Sequence, residues 1–316
     1  VEGLRVIIAD AHCDTITKIM ECNSNLYKNN CHVDLERMVG KNKHVQFFAA
    51  FIDPEYCQAY AMKRAVQIID KFYQQVDLYR DSVALCCNYY DIQSALDSGK
   101  VAAVLSIEGG EAFQGDLAAL RVFYRLGVRS VCLTWNHRNE IADGVKDGSS
   151  GGGLTPFGRA VVKEMNALGM LIDLSHIAEK GFWDVMELTA SPVIVSHSNA
   201  KKVCNHPRNL TDEQILAVKR NGGVIGINLY PYFLNGTEKA SLKDVIKHIE
   251  HISGLIGCDN LGLGADFDGI ECTPADIRGV EDIDLIFDEL LRLNYSEECV
   301  EKIAGLNFLR VIGEVL

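Results

Sequence analysis

The sequence predicts an α/β fold, a single (β/α)8 TIM barrel, and three observations lead there. Eight short apolar runs, each long enough for one buried strand, alternate for the most part with stretches of helical periodicity. No shift in composition divides the 316 residues, so 1–316 reads as one domain with helices at its C-terminus. No GxGxxG follows the first run, which removes the usual dinucleotide signal of an open, doubly wound sheet.

The first run is Val6–Ala9, followed by Asp10, Ala11, His12, Cys13 and Asp14. His12 and Asp14 are two apart, so a persisting strand puts both on one face, where an imidazole and a carboxylate can reach one ion. The alternative is a turn with a surface aspartate. Val45–Phe51 is the second strand, and His32 and His44 read as turn or strand-edge residues. From Ala61 to Tyr79 the apolar positions fall at helical spacing, as expected of a helix covering the barrel exterior. The third strand, Val101–Ile107, ends in Glu108-Gly109-Gly110. A carboxylate there is costly unless it has a partner, and glycines let the chain turn sharply; an N-cap or a salt bridge is the plainer use. A helix over 117–126 and a strand over 128–133 lead to Trp135-Asn136-His137-Arg138-Asn139, a crowd of aromatic and polar groups that suits a substrate-facing loop.

Residues 143–153, DGVKDGSSGGG, have no apolar anchor and read as a flexible loop or lid; no GK[ST] makes them a phosphate loop. Thr155-Pro156 starts a helix to about Leu168. The fifth and sixth strands, Met170–Leu174 and Val193–Val195, are each followed by a serine and a histidine, His176 and His197, with a helical segment between them. Two parallel strands joined by a helix put both histidines in one mouth. Arg208 lies in the irregular segment beyond. Gly223–Asn228 is the seventh strand, with Tyr230, Pro231 and Tyr232 after it, and Leu261–Gly264 is the eighth, ending in Asp266-Phe267-Asp268-Gly269. Helices are expected near 212–220 and over 242–252, 283–293, 297–303 and 306–315.

His12, Asp14, Glu108, His176, His197 and Asp266 all stand just after predicted strands, and in a barrel those ends converge. Three imidazoles and three carboxylates can hold two divalent ions, one carboxylate bridging them; a pair roughly 3.5–4 Å apart binds and deprotonates a water. Zinc fits this mixed nitrogen and oxygen set, and manganese or iron fits almost as well. A binding module with one structural zinc is the non-enzymatic alternative, but it does not need both Glu108 and Asp266 in the same mouth.

Composition narrows the partners. A net charge of −12 leaves no basic stripe for nucleic acid, while 48% hydrophobic residues supply a core and argue against disorder. The eleven cysteines are scattered without a CxxC, so neither a Cys-rich zinc site nor a thioredoxin-like motif is indicated; Cys13, Cys86, Cys87 and Cys132 sit in or beside apolar runs as small hydrophobes. No run of eighteen apolar residues and no basic leader is seen, so a reducing cytoplasm without a membrane partner is expected.

DAHCDT at 10–15, IEGGEAF at 107–113, LTPFGRAVVKEMNALGMLIDLSH at 154–176, PVIVSHSNA at 192–200, PRN at 207–209 and GADFDG at 264–269 appear in this order. Together they resemble the membrane (renal) dipeptidase family, peptidase family M19, whose bacterial members share the metallo-dependent hydrolase barrel. The resemblance runs from about residue 6 to the C-terminus. It implies a dizinc peptidase acting on free dipeptides, with tolerance of a C-terminal D-residue. His12 and Asp14 would ligate one zinc, His176 and His197 the other, and Glu108 would bridge them. Arg208 would hold the substrate's terminal carboxylate, Tyr230 would join it in substrate binding, and Asp266 would carry the proton from the attacking water to the leaving amine. A homodimer is a further implication. One departure stands out. The mammalian form has a substrate-contacting histidine directly after LT, where this chain has Trp135, with His137 two residues later, either supporting the oxyanion from a shifted loop or serving structure alone. Another metal-dependent amidohydrolase reaction, on an N-acyl amino acid or a cyclic amide, would use the same water activation, and a metal-binding scaffold without turnover is the third reading.

Overall fold

Barrel strands are buried on both faces, which is why they read as continuous apolar runs rather than as alternating ones. Every residue of Val101–Glu108 is buried. The computed structural model describes residues 6–40, 42–56 and 59–316. Its strands are β1 (Ile7–Cys13), β2 (Lys43–Phe51), β3 (Val83–Leu85), β4 (Val101–Glu108), β5 (Val128–Cys132), β6 (Leu171–Asp173), β7 (Ile194–Val195), β8 (Val224–Ile227) and β9 (Leu261–Leu263). Eight of them close a parallel barrel in the order β1-β2-β4-β5-β6-β7-β8-β9, surrounded by helices. Pairing of β2 with β4, from Val45 opposite Ala102 to Phe51 opposite Glu108, joins the two ends of the sheet. These eight correspond to the eight apolar runs. The ninth was not foreseen: β3 pairs with Val101–Ala103 at the start of β4, below Leu105–Glu108, which pair with β5. Three residues are too few to show a period.

The helices follow their sequence signals. Helix Ala61–Leu78 turns Ala61, Ala65, Ile68, Ile69 and Phe72 inward, and the Phe72 ring lies 5.9 Å from that of Phe48. Thr155 caps helix Pro156–Leu168 by accepting from the Gly158 amide, and Thr211 forms a capping box with Gln214 at the start of helix Asp212–Asn221. Helix Leu242–Ile256 runs one turn beyond its expected end.

The two mouths of the barrel are closed differently. At the N-terminal mouth, Phe308, Leu309, Val311 and Ile312 of the terminal helix Asn307–Val315 pack with Ala9, Val45, Phe47, Ala102 and Val224. Phe47 and Phe308 have ring centroids 6.3 Å apart. At the C-terminal mouth the chain instead places ionisable groups. The 143–153 segment belongs to this end and is more fixed than its composition suggests. Val145–Ser150 winds into 3-10 turns, and the amides of Val145, Lys146 and Ala178 donate to the carbonyls of His176, Asn136 and Asp143, each at 2.9 Å. The Asp143 carboxylate receives Arg138 and Ser150. Polar anchors replace the missing apolar ones. Cys258 and Cys299 form a disulfide between the segment before β9 and helix Glu297–Glu301; their separation of 41 residues hides that pairing in the sequence.

Candidate metal centre

Each strand end delivers one or two side chains to a single buried cluster. His12 is the penultimate residue of β1 and Asp14 follows the strand, with its amide donating to the Phe267 carbonyl at 2.9 Å. Glu108 closes β4. His176 and Asp266 stand after β6 and β9 with left-handed backbones, φ 65° and 62°. Asp268 is also left-handed, at φ 68°. Such conformations are strained for residues with a side chain, and they persist where surrounding contacts fix them. They swing these side chains back over the mouth.

The geometry divides around Glu108. Its Oε2 lies 3.4 Å from His12 Nε2, and its Oε1 lies 2.9 Å from His176 Nε2 and 3.6 Å from His197 Nε2. His12 Nε2 is also 3.3 Å from Asp14 Oδ2 and 3.9 Å from Asp266 Oδ1, while the Nε2 atoms of His176 and His197 are 2.8 Å apart. Two overlapping groups result, His12–Glu108–His197 and His12–Asp14–Asp266, each with ligand atoms within 4.8 Å of one another.

The outer nitrogens and oxygens are engaged elsewhere. His176 Nδ1 is 2.9 Å from Asn136 Oδ1, and His197 Nδ1 is 2.7 Å from Ser196 Oγ, which in turn donates to Asp173. Asn228 Nδ2 donates to Asp266 Oδ2 at 2.8 Å, leaving Oδ1 toward the cluster. Asp268 accepts from Thr15 Oγ1 at 2.6 Å and from the His32 amide at 2.7 Å, and its own amide donates to His32 Nδ1 at 2.9 Å. His32, expected as a turn residue, thus braces the β9 loop against the β1 loop.

Burial and mutual charge set the protonation states. Burial opposes ionisation of Glu108, yet the imidazoles of His12 and His176 hold its pKa well below the usual carboxylate range. Burial likewise disfavours a charged His12, but Glu108 and Asp14 outweigh it and raise its pKa. His176 is pushed down to about 3 by burial and by the nearby Arg208, and His197 moves the same way. Both therefore present neutral ring nitrogens, the form that binds metals. Asp266 is raised to about 7, by burial first and then by repulsion from Asp14 and Glu108.

The donors fit a pair of divalent ions. Two neutral imidazole nitrogens point at each other, two carboxylates crowd a third imidazole, and Asp14 Oδ1 is buried without a hydrogen-bond partner. At Gly269 a Cβ would come within 2.3 Å of Asp14 Oδ2 and 2.6 Å of Asp266 Oδ1, so a side chain there would fill the cradle. A purely structural ion-pair cluster would leave these atoms unsatisfied at considerable cost.

All six strand-end residues singled out in the sequence meet here. Four of them, Asp14, Glu108, His176 and Asp266, line a cavity of about 620 Å³ together with Arg208 and Tyr230. The Arg208 guanidinium is held by the Ser198 hydroxyl at 3.0 Å and the His197 carbonyl at 2.9 Å. His137 does not line this cavity. The amides of Lys146 and Arg138 donate to the Asn136 carbonyl and to Asp147, which turns the chain after Asn136 outward, and His137 sits half exposed with Nδ1 3.5 Å from Asp147. Trp135 and Asn136 line the cavity instead. Asn228, Ser196 and Asp173 were missed in the sequence, and Asn136 was seen only as part of a substrate-facing loop; the contacts of these residues are Asp266, His197, Ser196 and His176 respectively. Asp173 carried a signal, as a charge at the end of an apolar strand.

The model of the family described as membrane dipeptidase (peptidase family M19) matches residues 4–316. The chain belongs to this family. Its activity is metal-dependent dipeptide hydrolysis at a binuclear site. Among curated relatives, dipeptidase tcpJ of Claviceps purpurea is 35% identical over 297 residues, covering 90% of this chain and 69% of the relative. An uncharacterised dipeptidase of Schizosaccharomyces pombe is 35% identical over 303 residues, covering 89% and 71%. Among solved structures, a Rhodobacter sphaeroides metallopeptidase bound to a phosphinate mimic of L-Ala-D-Ala superposes with a TM-score of 0.91, at 26% identity over 99% of this chain and 100% of its own. Dipeptidase AC, a metallopeptidase of the same family, gives 0.91 at 27% identity, covering 99% and 98%.

Proposed function

We propose that the chain is a dizinc dipeptidase in which His12 and Asp14 hold one ion, His176 and His197 the other, and Glu108 spans both. The observation that carries this reading is the split of Glu108, one oxygen toward His12 and the other toward the His176–His197 pair. Bound there, the ions supply water activation and polarisation of the scissile carbonyl. Zinc is favoured by the nitrogen-rich half of the donor set.

The protein's own groups do the rest. Arg208 receives the terminal carboxylate of the substrate: it is buried, fixed by two hydrogen bonds, and open to the cavity. A fixed guanidinium favours a free C-terminus over an interior peptide bond. Tyr230 walls the same side, its ring packed edge-on against Phe233 at 4.9 Å. Asp266, with Oδ2 occupied by Asn228, offers Oδ1 to take the proton of the attacking water and return it to the leaving amine. The mimic held by the Rhodobacter relative supports acceptance of a C-terminal D-residue here as well.

The test is metal stoichiometry together with turnover of free and C-terminally amidated dipeptides. We expect two zinc ions per chain and a strong preference for the free acid that disappears in Arg208→Ala. An equal effect of that substitution on both substrates removes the clamp role. Asp266→Asn should keep its metal and lose turnover; lost metal in that variant would make Asp266 a ligand instead.

A single domain over 1–316 and a homodimer complete the proposal, the second to be checked by sedimentation equilibrium. Among the described residues no helix is long and apolar enough to cross a membrane. For compartment, the Cys258–Cys299 disulfide weighs against the expected reducing cytoplasm. Thiol titration of freshly denatured protein decides it. Eleven reactive thiols, the full count, favour the cytoplasm, and two fewer favour an oxidising compartment.

A further inference from the structure

The two imidazoles on one side of Glu108 are supported in different ways. His197 is held from within the barrel, by Ser196 and Asp173, both buried. His176 is held from outside the barrel, by the loop after β5. Its Nδ1 meets Asn136 Oδ1 at 2.9 Å, and its carbonyl receives the Val145 amide at 2.9 Å. The Asn136 carbonyl receives the next amide, that of Lys146, also at 2.9 Å. Three hydrogen bonds thus lock residues 136, 145–146 and 176 into one unit. The approach is close enough to require glycine at 144, where a Cβ would lie 2.3 Å from the Trp135 carbonyl oxygen and 2.4 Å from the Asn136 carbonyl carbon. The same loop forms one wall of the cavity over the cluster, through Trp135, Asn136, Val145 and Lys146.

We infer that Asn136 is a positioning residue for His176, and that through this contact an occupied metal centre braces the loop that walls the substrate cavity. The inference rests on the reading of His176 as a ligand through Nε2. In that role the ring proton must sit on Nδ1, and an amide oxygen fixes this tautomer without adding charge. The left-handed backbone of His176 leaves the ring direction dependent on such outside support. By linkage, whatever the loop contributes to holding His176 for the metal, the bound metal returns to the loop. His197 has no part in this coupling, because its support lies below the mouth.

The test joins chelator-competition titration of zinc to hydrogen exchange of the peptide spanning 143–150, in unsubstituted protein and in two variants. In the unsubstituted protein, removing zinc should speed exchange at Val145 and Lys146 while leaving the amides of β6 unchanged. Asn136→Ala should weaken zinc roughly 10–100-fold and abolish the zinc-dependent protection of the loop. Asn136→Asp, which keeps an acceptor oxygen in place, should restore most of both. Loop exchange that ignores zinc in the unsubstituted protein overturns the inference, whatever the variants do, and so does wild-type zinc affinity in Asn136→Ala. His176→Ala separates this from the underlying assignment. If that variant binds two zinc ions as tightly as the parent, the ligand assignment itself fails; if it loses zinc while Asn136→Ala does not, only the coupling fails.

Discussion

The N-terminal mouth of the barrel is sealed by an apolar helix, whereas the C-terminal mouth holds a cluster of buried ionisable groups, among them His12, Asp14, Glu108, His176, His197, Arg208 and Asp266. The first is packing in low-strain conformations that any similar set of hydrophobic side chains could approximate. The second concentrates like charges, buried donors and left-handed residues, each of which costs stability. The contrast shows the barrel dividing its labour along its axis, with one end stabilising the fold and the other spending part of that stability on a reactive cluster.

Substitutions at the two ends should therefore fail in different ways. The largest effect is expected for Glu108→Gln: turnover should fall by at least about a thousandfold, some 4 kcal/mol of transition-state stabilisation, with metal lost and far-UV circular dichroism unchanged. Residual activity within tenfold of the parent would take Glu108 out of the centre. At the opposite mouth, Phe308→Ala should cost about 3–5 kcal/mol in urea denaturation and leave zinc affinity and KM untouched. A parallel loss of zinc affinity would break the division between the ends.

Glu111 tests the cost of charge near the reactive mouth. Burial raises its pKa from 4.5 to about 7, and Glu140 and Glu108 push the same way. Its Oε2 has no hydrogen-bond partner. Because the folded pKa lies above the unfolded one, the native state binds the proton more tightly, and the contribution of Glu111 to stability should fall as pH rises from about 4.5 to about 7 and then level off. Glu111→Gln should flatten that slope and be the more stable protein above pH 7, by at most about 3 kcal/mol. A stability difference between parent and variant that does not change between pH 4.5 and 7 would contradict this assignment. The smallest effect is expected for His137→Ala, within about 0.5 kcal/mol in stability and with kcat/KM within twofold. A loss beyond tenfold in kcat would bring the imidazole back to the reacting carbonyl.

The fold was legible because each of the eight barrel strands is buried on both sides and ends in a marked change of residue type. β3 was not, since three residues of SVALCC carry no periodicity. The candidate ligands were legible because each stood at or just after a predicted strand end. Their outer supports were not: Asn136, Asn228 and Ser196 are ordinary polar residues whose partners come from other strands and loops. The anchoring of the loop over 143–153 was hidden for a related reason. Its glycines and polar residues look free in one dimension, but the amides of Val145 and Lys146 find carbonyls on two other segments.

The sequence by itself determined the strands, their alternation with helices and the residue types at each strand end, because burial and helical periodicity are local properties of the chain. Only the tertiary structure decided which oxygen of Glu108 faces which histidine, that Asn136 rather than His137 enters the cavity, and that Phe308 closes the far mouth. These depend on distances between segments far apart in sequence, and such distances are fixed only when the barrel closes.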